Sequence, residues 1–175
     1  MLKIAGALAG VLLAALLGFA ATRPDTFRVE RTVTIHAPPA KVYALLEDFH
    51  RWGQWSPWER MDPDMKRTYG GAPRGEGALY AWHGNPAVGR GQMEITEALA
   101  PSRVRIRIDL VDPIAARHTA EFTLQAGDDA TRVTWSLSGP SPFVAKLMSV
   151  FTPMDGLVGP EFERGLANLK AVAEK

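Results

Sequence analysis

The sequence predicts an α+β domain in which a curved antiparallel sheet of about seven strands wraps around a long C-terminal helix. Seven segments of alternating apolar and polar residues are separated by turns rich in Gly, Pro and Asp. A short helical pattern lies between the first two of these segments, and a long helical pattern closes the chain. Because each strand is apolar on one side only, the sheet needs one covering element, and only the last helix is long enough to supply it.

An apolar helix precedes this domain. Residues 4–21 carry no charge, with Lys3 before them and Arg23 after them. As a helix they extend over roughly 27 Å, close to the roughly 30 Å of a bilayer's hydrocarbon core. We therefore expect residues 1–22 to be a membrane anchor or a cleaved signal segment and residues 23–175 to form the folded domain. The anchor predicts a membrane-attached domain on the extracytoplasmic side; the signal predicts a secreted or periplasmic one.

The first strand and the first helix follow directly. Residues 27–36 alternate, with Phe27, Val29, Val33 and Ile35 on the face that we expect to be buried. After two prolines, residues 40–49 repeat apolar side chains at helical spacing. Residues 50–63 are rich in Trp, Gly and Pro and predict an irregular connection.

Six further strands are predicted over residues 65–69, 77–83, 88–98, 103–111, 116–124 and 131–137. Their regular spacing indicates an antiparallel meander. Residues 103–111 alternate most strictly, which places four aliphatic side chains toward the core.

The final helical pattern runs from Ser141 toward Glu174. Its apolar side includes Leu147, Phe151, Met154 and Leu166. Prolines and glycines between residues 153 and 160 predict a kink or a break.

Composition excludes several kinds of site. The chain has 20 Lys and Arg against 19 Asp and Glu, a net charge of +1, so we expect no nucleic-acid partner. It contains no Cys, which excludes disulfides and thiolate metal sites. The four histidines lack metal-ligand spacing, and no glycine motif for a nucleotide is complete; we therefore predict neither a metal nor a cofactor.

Four sequence blocks carry a family resemblance: residues 27–63, 75–95, 131–139 and 154–170. Their order, with a strand ending in Ile-His-Ala-Pro-Pro and a Trp-rich segment after the first helix, resembles the polyketide cyclase/dehydrase group of the SRPBCC superfamily. The resemblance covers almost all of residues 27–175. It implies the helix-grip fold, also called START-like or Bet v 1-like, with a deep apolar pocket beneath the long helix.

The first functional hypothesis is that this pocket binds a hydrophobic small molecule that is lipid-like, sterol-like or polyketide-like. Inward-facing and aromatic side chains are the candidates for its walls: Trp55, Trp58, Tyr80, Trp82, Met93, His118, Phe122, Trp135, Leu147, Phe151, Met154 and Leu166. Nothing in the sequence specifies an oligomeric state.

Two alternatives accompany this hypothesis. His118 alternates with apolar residues and so faces the interior, where it would act as an acid or base in a cyclase or dehydratase, assisted by Tyr80. The third hypothesis is an envelope protein-interaction module without a ligand, in which the Trp-rich segment meets a protein partner. A pocket collapsed by bulky side chains would favour it. Carboxylates such as Glu59 are assigned to solvated loops.

Overall fold

A computed structural model describes residues 2–175, with side chains described for residue 8 and residues 10–175. The elements in chain order are α1 (Leu2–Ala21), β1 (Thr26–Ile35), α2 (Pro39–Leu46), two 3₁₀ turns (Phe49–Gln54 and Pro57–Arg60), β2 (Lys66–Gly71), β3 (Ala78–His83), β4 (Arg90–Leu99), β5 (Arg103–Asp112), β6 (Ala116–Ala126), β7 (Thr131–Pro140), α3 (Phe143–Phe151) and α4 (Met154–Ala173). The predicted α+β helix-grip class is confirmed.

The seven strands form one antiparallel sheet in the order β1-β7-β6-β5-β4-β3-β2. β1 alone leaves its place in the chain sequence, crossing to pair with β7 over its whole length. Register shifts in β4, beside Gly91 and Ile95, bend the sheet where it must curve around α4. The predicted alternation is confirmed in β1, where Val29 and Ile35 are buried and the residues between them are not fully buried.

The sheet has two ends with different coverings. β1, β2, β4 and β6 begin, and β3, β5 and β7 end, at the same end, where α1 and α3 are also attached. We call this the open end. α2 packs at the opposite end, against β5 and β6, and we call this the closed end.

The C-terminal pattern forms two helices. Thr152 and Pro153 separate α3 from α4, whereas α4 continues through Pro160, so the predicted break lies at the first proline. α4 is fixed across the sheet by ion pairs from Arg31 on β1 to Asp155 and Glu163, with N–O distances of 2.8 and 2.7 Å. α3 departs from this line and packs against α1.

The predicted membrane span receives no support from the structure. Over the part of the chain that is described, no helix is long and apolar enough to cross a bilayer. The predicted segment began at residue 4, and the side chains of residues 4–7 and 9 lie outside the described ones.

Candidate functional site

A cavity of about 300 Å³ lies between the sheet and the first turns of α4. This volume is at the lower end of the range found for small-molecule sites. Its walls are apolar and aromatic side chains with a few polar groups: Trp52, Ser56, Trp58, Glu59, Met65, Tyr80, Trp82, Ala87, Val88, Met93, Ile108, Leu110, His118, Ala120, Trp135, Leu137, Met154, Val158 and Phe162.

The cavity occupies only the half of the sheet near the open end. On β6, His118 and Ala120 line it, whereas Phe122 and Leu124, farther along the same face, pack in the core. β5 divides at the same level: Ile108 lines the cavity, whereas Ile106 is buried in the core. Beneath α4, the closed half is therefore solid and the open half is hollow. A separate cleft of about 220 Å³ lies at the closed end of the edge strands β2 and β3, beside His50 and Tyr69.

Stacked aromatic rings form the wall between these halves. The ring of Trp135 lies 4.0 Å from that of Phe162 on α4 and 4.8 Å from that of Phe122 on β6, both nearly parallel. α4 can approach so closely because residue 165 is glycine; a Cβ there would be 2.8 Å from the Trp135 ring. The buried indole nitrogen of Trp135 has no hydrogen-bond partner within the described residues. Ring stacking therefore holds Trp135 in place.

A polar corner interrupts the apolar walls. Glu59 lies in the second 3₁₀ turn, and its side chain is only 9% exposed. One carboxylate oxygen accepts a 2.5 Å hydrogen bond from the Tyr80 hydroxyl, and the other accepts a 2.6 Å bond from Nε of Arg67. Burial and the bond to Glu59 raise the pKa of Tyr80, so the phenol keeps its proton. We call these three residues the Glu59 corner.

His118 lies on another wall. Its ring meets Phe27 edge-on at 5.1 Å and fills the space left by Gly139, where a Cβ would be 2.5 Å from the imidazole. Burial lowers the pKa of His118, which favours the neutral imidazole at pH 7. A neutral imidazole offers the cavity one donor and one acceptor.

His118 and Tyr80 are not brought together. They occupy one transverse row of the sheet, but Met93 and Ile108 lie between them. Three strand spacings correspond to about 14 Å measured along the curved sheet. The Tyr80 hydroxyl is bonded to Glu59, so the structure does not bring it together with His118.

Of the twelve predicted wall residues, seven line the cavity: Trp58, Tyr80, Trp82, Met93, His118, Trp135 and Met154. The other five do not line it. Trp55, Phe122 and Leu166 are buried in the core at the closed half or behind the aromatic wall. Leu147 and Phe151 belong to α3, which turns away from the sheet at Pro153; Phe151 is 72% exposed.

Sequence reasoning missed Glu59 as a cavity residue. It assigned this carboxylate to a solvated loop, and the 3₁₀ turn has no periodicity that would have revealed its direction. The available signal was its position next to Trp58 in an aromatic-rich segment. The cavity is not collapsed by bulky side chains, which is the outcome that would favour the interaction module.

Comparisons with known proteins agree with this architecture. A family model described as polyketide cyclase / dehydrase and lipid transport matches residues 26–174. No curated protein matches the chain.

Several solved structures are similar. A protein of Chromobacterium violaceum shares 17% identity with a TM-score of 0.58, covering 87% of this chain and 99% of that one. The Aha1 dimer of Colwellia psychrerythraea shares 16% identity with a TM-score of 0.60 over 85% of this chain and 96% of that one. A putative protein in the dynemicin biosynthetic locus shares 19% identity with a TM-score of 0.56, covering 87% of this chain and 48% of that one. At these identities the likeness concerns the fold.

Proposed function

The chain belongs to the polyketide cyclase / dehydrase and lipid transport family, and we propose that it binds one hydrophobic small molecule in the cavity between the sheet and α4. The observation that carries this proposal is the cavity itself, about 300 Å³ of space with mainly apolar walls. Transfer of apolar ligand surface from water into such a space is favourable by about 25 cal/mol per Å², before the costs of association.

Two neighbouring residues of α4 allow a matched test. Val158 lines the cavity, whereas Leu157 is exposed and does not. We expect equilibrium dialysis to detect binding of 2-methoxynaphthalene, an apolar aromatic probe, to the full chain. Val158→Trp should block it and Leu157→Trp should leave it unchanged. Organic extraction of freshly purified protein, followed by mass spectrometry, should identify a co-purified ligand. An empty extract together with no probe binding would contradict the proposal.

A second candidate function is catalysis on a poly-ketone or aromatic intermediate, as in a cyclase or dehydratase. The supporting observation is His118, which lines the cavity and whose pKa is lowered by burial, so that the imidazole is in the neutral form that a general base requires. The test is incubation with a poly-β-ketone thioester and mass analysis for a product that has lost water. Product formed by the wild type and absent with His118→Ala would support catalysis; equal formation by both would remove His118 from it.

We also propose that α1 and α3 lie against a lipid bilayer. Helix α3 is apolar on its outer face, where Phe143, Val144, Met148 and Phe151 are exposed. Its single cation, Lys146, is almost buried and donates a 2.6 Å bond to Asp25. A helix that turns its charge inward and its apolar side chains outward is arranged for an apolar environment.

The choice of a bilayer follows from α1. It packs against α3, and the described side chains of residues 10–21 carry no charge. In a flotation assay, we expect the full chain to rise with phosphatidylcholine vesicles. The double variant Val144→Lys, Phe151→Lys should bind these vesicles more weakly. Leu99→Lys, at an exposed leucine of the closed end, is the control. Association between copies of the chain without vesicle binding would contradict the proposal.

Two localisations remain proposals. The membrane-attached extracytoplasmic form keeps residues 1–22, and the secreted or periplasmic form has lost them. The mass of the mature chain separates them: retention supports the anchored form and loss supports the exported one.

A further inference from the structure

The Glu59 corner differs from the rest of the cavity because the two residues that it contributes to the wall, Glu59 and Tyr80, have only acceptor capacity left. The single proton of the Tyr80 hydroxyl is directed at Glu59. Arg67, which does not line the cavity, directs its Nε to the carboxylate and Nη2 to the main-chain oxygen of the same residue. Glu59 and Tyr80 both line the cavity, and the hydrogen-bonding capacity that remains on them is a second lone pair on each carboxylate oxygen and the lone pairs of the Tyr80 oxygen.

The other polar side chains of the cavity do not share this property. Ser56 carries a hydroxyl and His118 a neutral imidazole, and each can either donate or accept. The indole N–H of Trp135, which also lines the cavity and has no hydrogen-bond partner within the described residues, can only donate. The Glu59 corner is therefore the part of the wall that presents acceptors alone.

We propose that the cavity selects hydrophobic molecules that carry a hydrogen-bond donor, a hydroxyl or an N–H group, at the end that meets Glu59. This inference rests on the proposed binding function and narrows its ligand class. Alcohols and amides fit the corner, whereas a carboxylate-headed molecule brings a second negative charge and further lone pairs. A donor-free ligand leaves the buried carboxylate desolvated without a new partner.

Three ligands of one ring system separate these classes. At pH 7, 2-naphthol offers a donor, 2-methoxynaphthalene has only an acceptor, and 2-naphthoate has a charged acceptor. For the wild-type chain in equilibrium dialysis, we expect 2-naphthol to bind at least tenfold more tightly than the ether and 2-naphthoate to bind most weakly. A hydrogen bond to a charged group is strong enough to produce such a ratio.

Glu59→Gln supplies the variant, because an amide of similar size presents a donor as well as an acceptor. It should reduce the preference for 2-naphthol over the ether to less than threefold. Glu97→Gln is the matched control: Glu97 also pairs with arginines, Arg103 and Arg105, but lies outside the cavity. This control should keep the wild-type preference.

Equal affinity of the wild type for 2-naphthol and its ether would overturn the inference while leaving the proposed function intact. Tighter binding of 2-naphthoate would overturn it too. Binding of none of the three would overturn the proposed function itself. The wild-type comparison remains decisive even if Glu59→Gln does not fold.

Discussion

Replacing Ala120 with Leu should fill part of the cavity and stabilise the protein, whereas an alanine-to-leucine substitution in a packed core should destabilise it. Ala120 is buried on β6 and lines the cavity. Three additional buried carbons stabilise by about 2.4 kcal/mol at about 0.8 kcal/mol each. Ordering a leucine side chain costs roughly 0.5–1 kcal/mol. We therefore expect the free energy of unfolding to rise by about 1.5 kcal/mol.

The same substitution in solid packing should destabilise. Ala173 of α4 is fully buried in the core and does not line the cavity. Overpacking costs about 1–3 kcal/mol, so Ala173→Leu should lower stability by that amount. Urea denaturation monitored by tryptophan fluorescence measures both changes, and dialysis should show that only Ala120→Leu weakens binding of 2-methoxynaphthalene. If Ala120→Leu destabilises as much as Ala173→Leu and binding persists, the reasoning from the cavity is refuted.

Three further perturbations test the same structure. Gly139→Ala should destabilise by about 1–3 kcal/mol because its Cβ would lie 2.5 Å from the His118 ring and 3.1 Å from the Phe27 ring. In a His118→Ala background the loss should become smaller, and an undiminished loss would contradict the contact with His118. Burial lowers the pKa of His118 from its ordinary value of 6.5, so the unfolded state binds more protons and the free energy of unfolding should fall as pH drops below about 6.5. His118→Leu should flatten this part of the plot of urea midpoint against pH, and an unchanged slope would exclude the effect. Trp55→Phe removes a buried 3.1 Å bond to the Leu45 carbonyl and should cost about 1–3 kcal/mol without altering probe affinity; a weaker affinity at unchanged stability would place this residue in the site.

The sheet was predictable because alternation directly reports which face of a strand is buried. Alternation predicts His118 on the interior face of β6, and in the structure His118 pairs with Ile108 and lines the cavity. Alternation does not indicate how far along the strand, toward the open or the closed end, a residue lies. Phe122 has the same parity as His118 but lies four residues closer to the closed end, where α2 fills the interior.

The helical side of the site was predicted less well for a related reason. Helical periodicity assigns residues to one face only while the helix continues. Pro153 interrupts it, and the phase of α3 relative to the sheet is then set by α1 and by the bond from Lys146 to Asp25. These are contacts between distant parts of the chain, which a local pattern does not encode.

The Glu59 corner depends on such distant contacts entirely. Its carboxylate is held by Arg67, eight residues away, and by Tyr80, twenty-one residues away on another strand. A buried carboxylate is costly unless it is paired, so the pairing is what permits Glu59 to lie at the cavity wall. Its position within a 3₁₀ turn gave no periodic signal. Pairing of loop carboxylates with arginines on the adjoining strand is therefore the feature to look for when a Trp-rich segment precedes an edge strand.

The division of the sheet into a solid half and a hollow half separates stability from binding within one layer of strands. At the closed end, β5 and β6 pack against α2, and Trp55 is fixed to α2 by the Leu45 carbonyl. This packing holds the strands in register without help from the hollow half. The open half can then carry an unfilled volume and a buried carboxylate, both of which weaken a fold that depends on them. Because the two halves share continuous strands, the rigid half orients Tyr80 and His118 at the cavity even when no ligand is bound, and pre-organised walls lower the ordering cost of binding.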